Sequence, residues 1–248
     1  MQPGDGTLPD GNQLDIDRFR GPRRLRQNLK DDISNLITED ILSGRIRPGS
    51  RVNQDELCKR FGVSRLPVRE ALIMLENSGF VHNEPRLGSY VSEIAPNDVR
   101  DHYALFGVAS GLAAQYAVDT LTDAQLGELR ELLDTLHKIK DPRQAISLNS
   151  AFHRTINKAG TSRRLQAHIR SMARVIPASM FAGNEWGPHS EADHQRILTA
   201  LVERDREEAF AATDAHLRNA GERAVQMLND AGFWAGTAVE TTRGDVGS

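Results

Sequence analysis

Hydrophobic positions in the first third of the chain recur at the three- and four-residue spacing of helices. One such stripe predicts a helix at about Leu29–Ser43, and its members are Leu29, Ile33, Leu36, Ile37 and Ile41. Asn53, followed three residues later by Glu56, is a capping-box pattern that opens a second, short helix. We expect this helix to end at Gly62, a residue type that is common just after the last helical turn.

A third helix is predicted to follow almost at once. Ser64 is a favourable N-cap whose hydroxyl can accept from a free N–H of the first turn, and Pro67 fits that turn. The side chains that would face a core are Val68, Ala71, Leu72 and Leu75. After Gly79, short strands are expected at Phe80–Asn83 and Ser89–Ser92, so the whole order predicts a winged helix-turn-helix.

Beyond Pro96 the pattern is helical and carries no strand signal. We expect six helices, at about Asn97–Asp119, Thr122–Lys138, Arg143–Ala159, Ser162–Phe181, Ser190–Glu203 and Asp205–Ala231. Short loops between amphipathic helices favour an antiparallel bundle, whose interior is a usual place for ligand and metal sites. The predicted fold class is therefore mainly α, with an N-terminal winged helix-turn-helix and a C-terminal antiparallel all-helical bundle.

Composition sets the limits of the ordered part. The 248 residues are 39% hydrophobic and 26% charged, which is typical of a globular protein. No apolar run approaches the roughly 20 residues that span a bilayer, and the N-terminus lacks the apolar stretch of a secretion signal. We expect a cytoplasmic protein without membrane contact. Residues 1–22 and 233–248 are expected to be disordered tails around a DNA-binding domain at 23–95 and a bundle domain at 96–232.

Basic residues outnumber acidic ones in only one part of the chain. The net charge of −3 argues against nonspecific binding to nucleic acid, and only residues 23–95 are basic, with twelve Lys and Arg against ten acids. DNA binding would therefore need arginines focused on one face. Arg65 and Arg69 lie four apart and share a helical face, and an arginine fork matches a guanine edge or a phosphate. The alternative is an ordinary amphipathic helix with two solvated arginines.

A second candidate site is formed by polar residues on three of the predicted bundle helices. Asn149 and His153 are four apart and project from one face, whereas His194 and His216 lie on two later helices. Three imidazoles and one amide oxygen are a possible donor set for a divalent metal. A chain with eight histidines also produces such sets by chance, so surface or hydrogen-bonded histidines remain the alternative.

Both halves resemble a known family. The run GRIRPGSRVNQDELCKRFGVSRLPVREALIMLENSGFV, at residues 44–81, resembles the DNA-binding domain of GntR-type bacterial transcription regulators. The helical half resembles the FCD ligand-binding domain of the FadR-type branch. The motifs that carry this likeness are NSAFH ending at His153, HQRI beginning at His194 and HL beginning at His216. Six helices fit the VanR-like subgroup.

The resemblance implies a homodimer that binds a palindromic operator in double-stranded DNA and responds to a ligand. We expect it to act as a repressor. The implied DNA contacts are Ser64, Arg65, Leu66, Pro67 and Arg69 on the recognition helix and Arg86 and Gly88 in the wing. The implied metal ligands are Asn149, His153, His194 and His216. Zn²⁺ is favoured over Ni²⁺ and Mn²⁺, and a small organic acid would complete the coordination and change the angle between bundle and winged helix.

Two positions depart from the family's pattern. Asn149 stands where Asp is common, which removes a negative charge and should lower metal affinity. Ala109 and Ala113 stand where the first bundle helix often carries Arg and Glu, so the usual clamp for a carboxylate is missing. Arg170 and Arg174, one turn apart on the fourth helix, are candidate effector-binding replacements, and a solvated face is the alternative.

Two functions of other classes remain open at this point. Three histidines with open coordination positions also resemble the site of a metal-dependent enzyme. A general base is not evident, because Glu191 and Asp193 flank His194 without a clear direction toward the site. The other possibility is a metal-free interaction module in which the histidines are structural.

Overall fold

The computed structural model describes residues 24–173 and 188–235. The chain divides between Ile94 and Ala95 into two compact units. The predicted tail at 1–22 and all but the first three residues of the predicted tail at 233–248 lie outside the described residues.

The first unit is a winged helix-turn-helix, as the sequence pattern predicts. Its elements in chain order are α1 (Arg24–Leu42), β1 (Arg51–Val52), α2 (Gln54–Phe61), α3 (Arg65–Asn77), β2 (Val81–Glu84) and β3 (Gly88–Val91). Ile33, Ile37 and Ile41 of the α1 stripe are buried, whereas Leu29 and Leu36 are half-buried. The buried part of that stripe forms the core of this unit with the inward stripe of α3 and with Leu57 and Phe61.

The ends of α2 are set by the residues that the sequence pattern singles out. Asn53 Oδ1 accepts from the backbone N–H groups of Asp55 and Glu56, and Gly62 closes the helix in a left-handed conformation with φ of 63°. Ser64 occupies the N-cap position of α3 with extended backbone, as predicted, but the expected capping hydrogen bond from a backbone N–H to its hydroxyl is not formed. The first turn of α3 is exposed, so solvent can satisfy its free N–H groups.

The wing is a three-stranded antiparallel sheet in the order β1-β3-β2. β2 and β3 form the predicted hairpin, each displaced by one residue from its expected bounds. The sequence pattern does not predict β1, which pairs Arg51 with Tyr90 and Val52 with Ser89. Two residues are too few to display the alternation that identifies a strand.

A buried carboxylate ties α1 to α2. Asp40 is 1% exposed and accepts from both terminal nitrogens of Arg60 and, at 2.6 Å, from Nε of Arg45. A carboxylate that has left water needs such partners, so these contacts fix α2 against the buried side of α1.

The second unit is an all-helical bundle within the described residues. Its helices are α4 (Pro96–Thr120), α5 (Asp123–Leu136), α6 (Pro142–Ala159), α7 (Arg163–Met172), α8 (Pro188–Val202) and α9 (Arg206–Asp230). Thr122 and Ser162 cap α5 and α7 as predicted. The fourth bundle helix was expected to continue to Phe181, but α7 ends at Met172. Residues 174–187 lie outside the described residues. None of the described helices has both the length and the apolar content of a membrane span.

Glycines set the close contact of α9 with α4. A Cβ added to Gly221 would lie 2.7 Å from Cβ of Tyr103, and one added to Gly107 would lie 2.6 Å from Oδ1 of Asp214. Both distances are too short for a side chain, so glycine allows the two helices to approach. This contact fixes α9 and with it His216.

Candidate functional site

The N-terminal end of α3 presents most of the predicted DNA-contacting residues to solvent. Ser64, Arg65 and Arg69 are exposed, Leu66 is 65% exposed, and Pro67 is half-buried. The opposite side of the helix is sealed by the predicted inward stripe, Val68, Ala71, Leu72 and Leu75. The two arginines therefore lie on the accessible side of a helix whose orientation is fixed by its core.

Arg65 has a partner on the neighbouring helix. Its Nε lies 2.9 Å from Oδ1 of Asp55 and its Nη2 lies 3.0 Å from Oδ2. The two side chains are 76% and 58% exposed, and such exposed pairs contribute about 0–1 kcal/mol. The pair therefore orients the guanidinium while leaving it accessible to solvent.

Arg86 and Gly88 lie at the turn of the β2–β3 hairpin. Arg86 has φ of 68°, in the left-handed region that few side chains adopt, and Gly88 has φ of 109°. Arg86 is exposed, and the adjacent Leu87 is 54% exposed. The wing thus carries its arginine on an exposed, tightly turned tip.

Three histidines from different helices meet inside the second unit: His153 of α6, His194 of α8 and His216 of α9. Their candidate ligand nitrogens all lie within 4.8 Å of one another. Nε2 of His153 is 3.3 Å from Nε2 of His194, and the ring centroids of His194 and His216 are 4.6 Å apart. His194 and His216 are buried, and His153 is partly buried. We call this set the histidine cluster.

The donor atoms of the histidine cluster fit a divalent metal ion. Nitrogen ligands bind Zn²⁺ at about 2.0–2.1 Å, which places two of them roughly 3–3.5 Å apart. The distance between His153 and His194 agrees with that spacing. Asn149 lies one turn before His153 on α6, and its buried Oδ1 has no hydrogen-bond partner among the described residues. A buried acceptor left without a partner costs about 1–3 kcal/mol, and a cation would satisfy it.

Asp193, which the sequence pattern places beside His194 without a role, contacts the histidine cluster. Its Oδ2 lies 3.4 Å from Nδ1 of His216 and 3.4 Å from Nδ2 of Asn219. A carboxylate that accepts from one ring nitrogen fixes the orientation of the imidazole and leaves the other nitrogen for a metal. Successive helical residues point about 100° apart, so the position of Asp193 beside His194 does not indicate this contact.

Burial keeps His153 and His194 of the cluster uncharged at neutral pH. Burial, with a smaller contribution from His216, lowers the pKa of His153 to about 3. Burial is also the main cause that lowers the pKa of His194 well below its ordinary value. The hydrogen bond from His216 lowers the pKa of Asp193, although burial opposes it. His153 and His194 therefore offer unprotonated nitrogens, which are the form that binds metal.

Of the two arginines suggested for effector binding, the structure describes Arg170 alone. Arg170 is exposed near the end of α7, and Arg174 lies outside the described residues. On α4, Ala113 is fully buried and Ala109 is partly buried.

Comparisons with known proteins match both units. Residues 29–91 match bacterial regulatory proteins of the gntR family, and residues 110–219 match the FCD domain. An uncharacterized HTH-type transcriptional regulator of Mycobacterium tuberculosis is 30% identical over 156 residues, or 63% of this chain and 64% of that relative. The chain thus spans slightly less than two thirds of that relative's length.

Two other relatives align over more of their length. An uncharacterized HTH-type transcriptional regulator in an unstable DNA locus of Streptomyces ambofaciens is 31% identical over 202 residues, covering 75% of this chain and 81% of the relative. The HTH-type transcriptional repressor RspR of Escherichia coli is 25% identical over 214 residues, covering 84% and 94%. The solved structure of E. coli McbR/YncC has the same fold, with a TM-score of 0.60 and 22% identity over 80% of this chain and 97% of that chain.

The names of the family and of these relatives are those of transcription regulators, and they indicate a regulator and not an enzyme. The metal-dependent enzyme considered from the histidines alone is therefore set aside. The winged helix-turn-helix, the helical bundle and the two matched domains lead to one assignment. The chain belongs to the GntR family of bacterial transcription regulators, in the FadR-type branch that joins a winged helix-turn-helix to an FCD domain.

Proposed function

We propose that this chain is a ligand-responsive, sequence-specific DNA-binding regulator that acts as a homodimeric repressor in the cytoplasm. One observation carries the proposal: the same chain has an exposed helix end with two arginines and a cluster of three histidines inside its bundle, two of them buried. The exposed helix end suits binding to DNA, and the histidine cluster suits binding of a small ligand that regulates it. The name of the E. coli relative supports the repressor role.

DNA is contacted by the exposed end of α3 and by the wing. Arg65 and Arg69 contact base edges or phosphates in the major groove, and Leu66 lies near a thymine methyl group. Ser64 and Pro67 approach the same groove. Arg86, next to the turn that Gly88 permits, reaches the backbone or the minor groove. The dimer places two α3 helices in successive major grooves, so the operator is a palindrome with half-sites about one helical turn apart.

The input is a divalent metal site completed by a small organic acid. His153, His194 and His216 hold the ion together with Oδ1 of Asn149, and Zn²⁺ is favoured over Ni²⁺ and Mn²⁺ because the donors are mostly nitrogen. When bound, the ion supplies open positions for an oxygen of the acid. Asp193 orients the His216 ring. Acid binding shifts the dimer between DNA-competent and DNA-incompetent states.

Selection of an operator from random duplexes, followed by gel shifts at fixed salt, tests the DNA-binding function. Arg65→Ala and Arg69→Ala should each lose binding to the selected sequence, because each removes a contact to base edges or phosphates. Arg130→Ala, which changes an exposed arginine on α5, is the matched control and should bind like wild type. Retained sequence-specific binding in both α3 variants would reject the assignment of the reading helix.

A metal-free interaction module is the competing function for the bundle. The neutral Asn149 favours it, because a metal site without a carboxylate ligand is weaker. Elemental analysis of the purified protein and melting curves with Zn²⁺ or Ni²⁺ distinguish the two. No bound metal and no gain in Tm would favour the module.

A further inference from the structure

One face of α9 continues past the histidine cluster. His216, Asn219 and Arg223 are three and then four residues apart, so they share a face. His216 and Asn219 both contact Asp193 of α8. Arg223 therefore lies one turn beyond Asn219 on the face that α9 turns toward α8.

The packing of the two helices places Arg223 near the beginning of α8. Arg196 pairs with Glu208, whereas Asp193 contacts His216 and Asn219. Lower numbers on α8 thus face higher numbers on α9, so the helices are antiparallel. Arg223 lies beyond the cluster in this direction, toward Pro188, where α8 begins.

Arg223 has a buried donor that the described residues leave unused. The side chain is half-buried, and its Nε is enclosed without a hydrogen-bond partner among the described residues. No ion pair joins Arg223 to a carboxylate in that part of the chain. A guanidinium is charged at every physiological pH, so an enclosed donor without an acceptor is costly and points to an anionic partner.

The charge of the site also calls for an anion. The four proposed metal donors are three neutral imidazoles and one amide oxygen, so a bound divalent ion would keep its charge. Arg223 adds a positive charge on the same face of α9, two helical turns after His216. Among the groups that face the cluster, Asp193 supplies one compensating charge, and it is already bonded to His216 and Asn219.

We propose that Arg223 anchors a carboxylate of the effector, which is a small organic acid bound between this guanidinium and the histidine cluster. The inference rests on the proposed function, since it uses the same input site. It replaces the exposed Arg170 with a half-buried arginine that sequence spacing does not single out. The carboxylate accepts from the enclosed Nε of Arg223, and a second oxygen of the acid faces the cluster.

Calorimetric titration of the full-length protein, with and without Zn²⁺, tests this assignment. The probes are acetate, succinate and citrate, each compared with its uncharged amide. At least one acid should bind, and its amide should not. Arg223→Gln should weaken that binding tenfold or more, Arg223→Lys should recover part of it, and Arg170→Gln should remain within twofold of wild type. Melting curves establish that each variant is folded.

The inference is overturned if no acid binds the wild-type protein, if the amides bind equally well, or if Arg223→Gln binds the acid like wild type. Zinc binding and operator binding are measured on the same preparations. Normal zinc and operator binding with acid binding that ignores Arg223 would reject the anchor and keep the proposed function. Acid binding that depends on Arg223, in a protein that binds neither zinc nor DNA, would keep the anchor and reject the proposed function.

Discussion

Arg65 of α3 donates two hydrogen bonds to Asp55 in the first turn of α2, from Nε at 2.9 Å and from Nη2 at 3.0 Å. The residue proposed to read DNA is thus held by an acidic side chain of the preceding helix. Phosphates repel that carboxylate and attract the arginine. Asp55 should therefore limit binding to DNA of arbitrary sequence.

Replacing Asp55 by asparagine should strengthen nonspecific DNA binding. The change removes a negative charge and releases Arg65 to pair with phosphates, so the Kd for an unrelated duplex should fall roughly three- to tenfold, or about 1 kcal/mol. The Kd for the operator should fall less, which lowers the specificity ratio. Fluorescence anisotropy at fixed salt measures both constants. Glu76→Gln, at the far end of α3, should change neither, and an unchanged ratio in Asp55→Asn would contradict this role.

Asn149→Asp should tighten zinc binding. It replaces a neutral oxygen by a carboxylate of similar size next to three imidazoles, and we expect a zinc affinity about tenfold higher, or roughly 1.4 kcal/mol. Competition with a zinc chelator measures the change. Asn157→Asp, two turns further along α6, is the control and should have the wild-type affinity. Equal affinities in wild type and Asn149→Asp would show that Asn149 is not a ligand.

Metal-free protein should lose stability as the pH falls from about 6.5 toward 3. The pKa of His153 is lowered from 6.5 to about 3 by burial, so in this range the unfolded chain binds more protons than the folded one. The stability that the neutral ring contributes is complete above the ordinary pKa and declines as the pH drops. Thermal unfolding in a chelator, at stepped pH, follows this loss.

A variant measures the contribution of His153 to this pH dependence. His153→Leu should make the fall of Tm below pH 6.5 shallower, because it removes one of the two imidazoles whose pKa burial lowers, while His194 retains its contribution. His168→Leu, at an exposed position on α7, should keep the wild-type slope. A wild-type slope in His153→Leu would contradict a buried neutral imidazole at this position.

Asp40→Asn should destabilise the first unit. It leaves Arg60 and Arg45 without the carboxylate that both contact, and breaking a buried pair costs about 3–5 kcal/mol. We expect the free energy of unfolding to fall by about 3 kcal/mol. Arg45 is 43% exposed, so solvent screens part of its interaction with Asp40. Urea unfolding followed for the DNA-binding unit gives the value. Asp101→Asn, at an exposed position on α4, should cost less than about 0.5 kcal/mol. A similar small loss in Asp40→Asn would contradict the account.

Local patterns predicted the features that depend on neighbours in sequence. Asn53 and Gly62 bound α2 because each acts within one helical turn, and the inward stripe of α3 follows from helical periodicity alone. The fold class was confirmed for the same reason. The resemblance to the family predicted that His153, His194 and His216 lie together. Their spacing along the chain alone does not specify how α6, α8 and α9 pack.

The features that sequence reasoning missed depend on contacts between elements. Strand β1 exists because Arg51 and Val52 pair with β3, and two residues carry no periodic signal. Asp193 and Arg223 gain their roles from the alignment of α8 with α9, which brings Asp193 to His216 and Asn219. Side-chain hydrogen bonds at exposed helix ends are also hard to predict. Ser64 is the N-cap residue of α3, yet its hydroxyl makes no capping hydrogen bond.

Operator binding with and without zinc tests the central claim, that the histidine cluster controls the DNA-binding end of α3. The Kd for the selected operator is measured by anisotropy for zinc-loaded and zinc-stripped protein, in wild type and in His194→Ala. Removal of zinc should weaken operator binding by wild type at least fivefold, while His194→Ala should bind equally with and without zinc. Wild-type binding that ignores zinc, or a His194→Ala protein that responds as wild type does, would contradict the account.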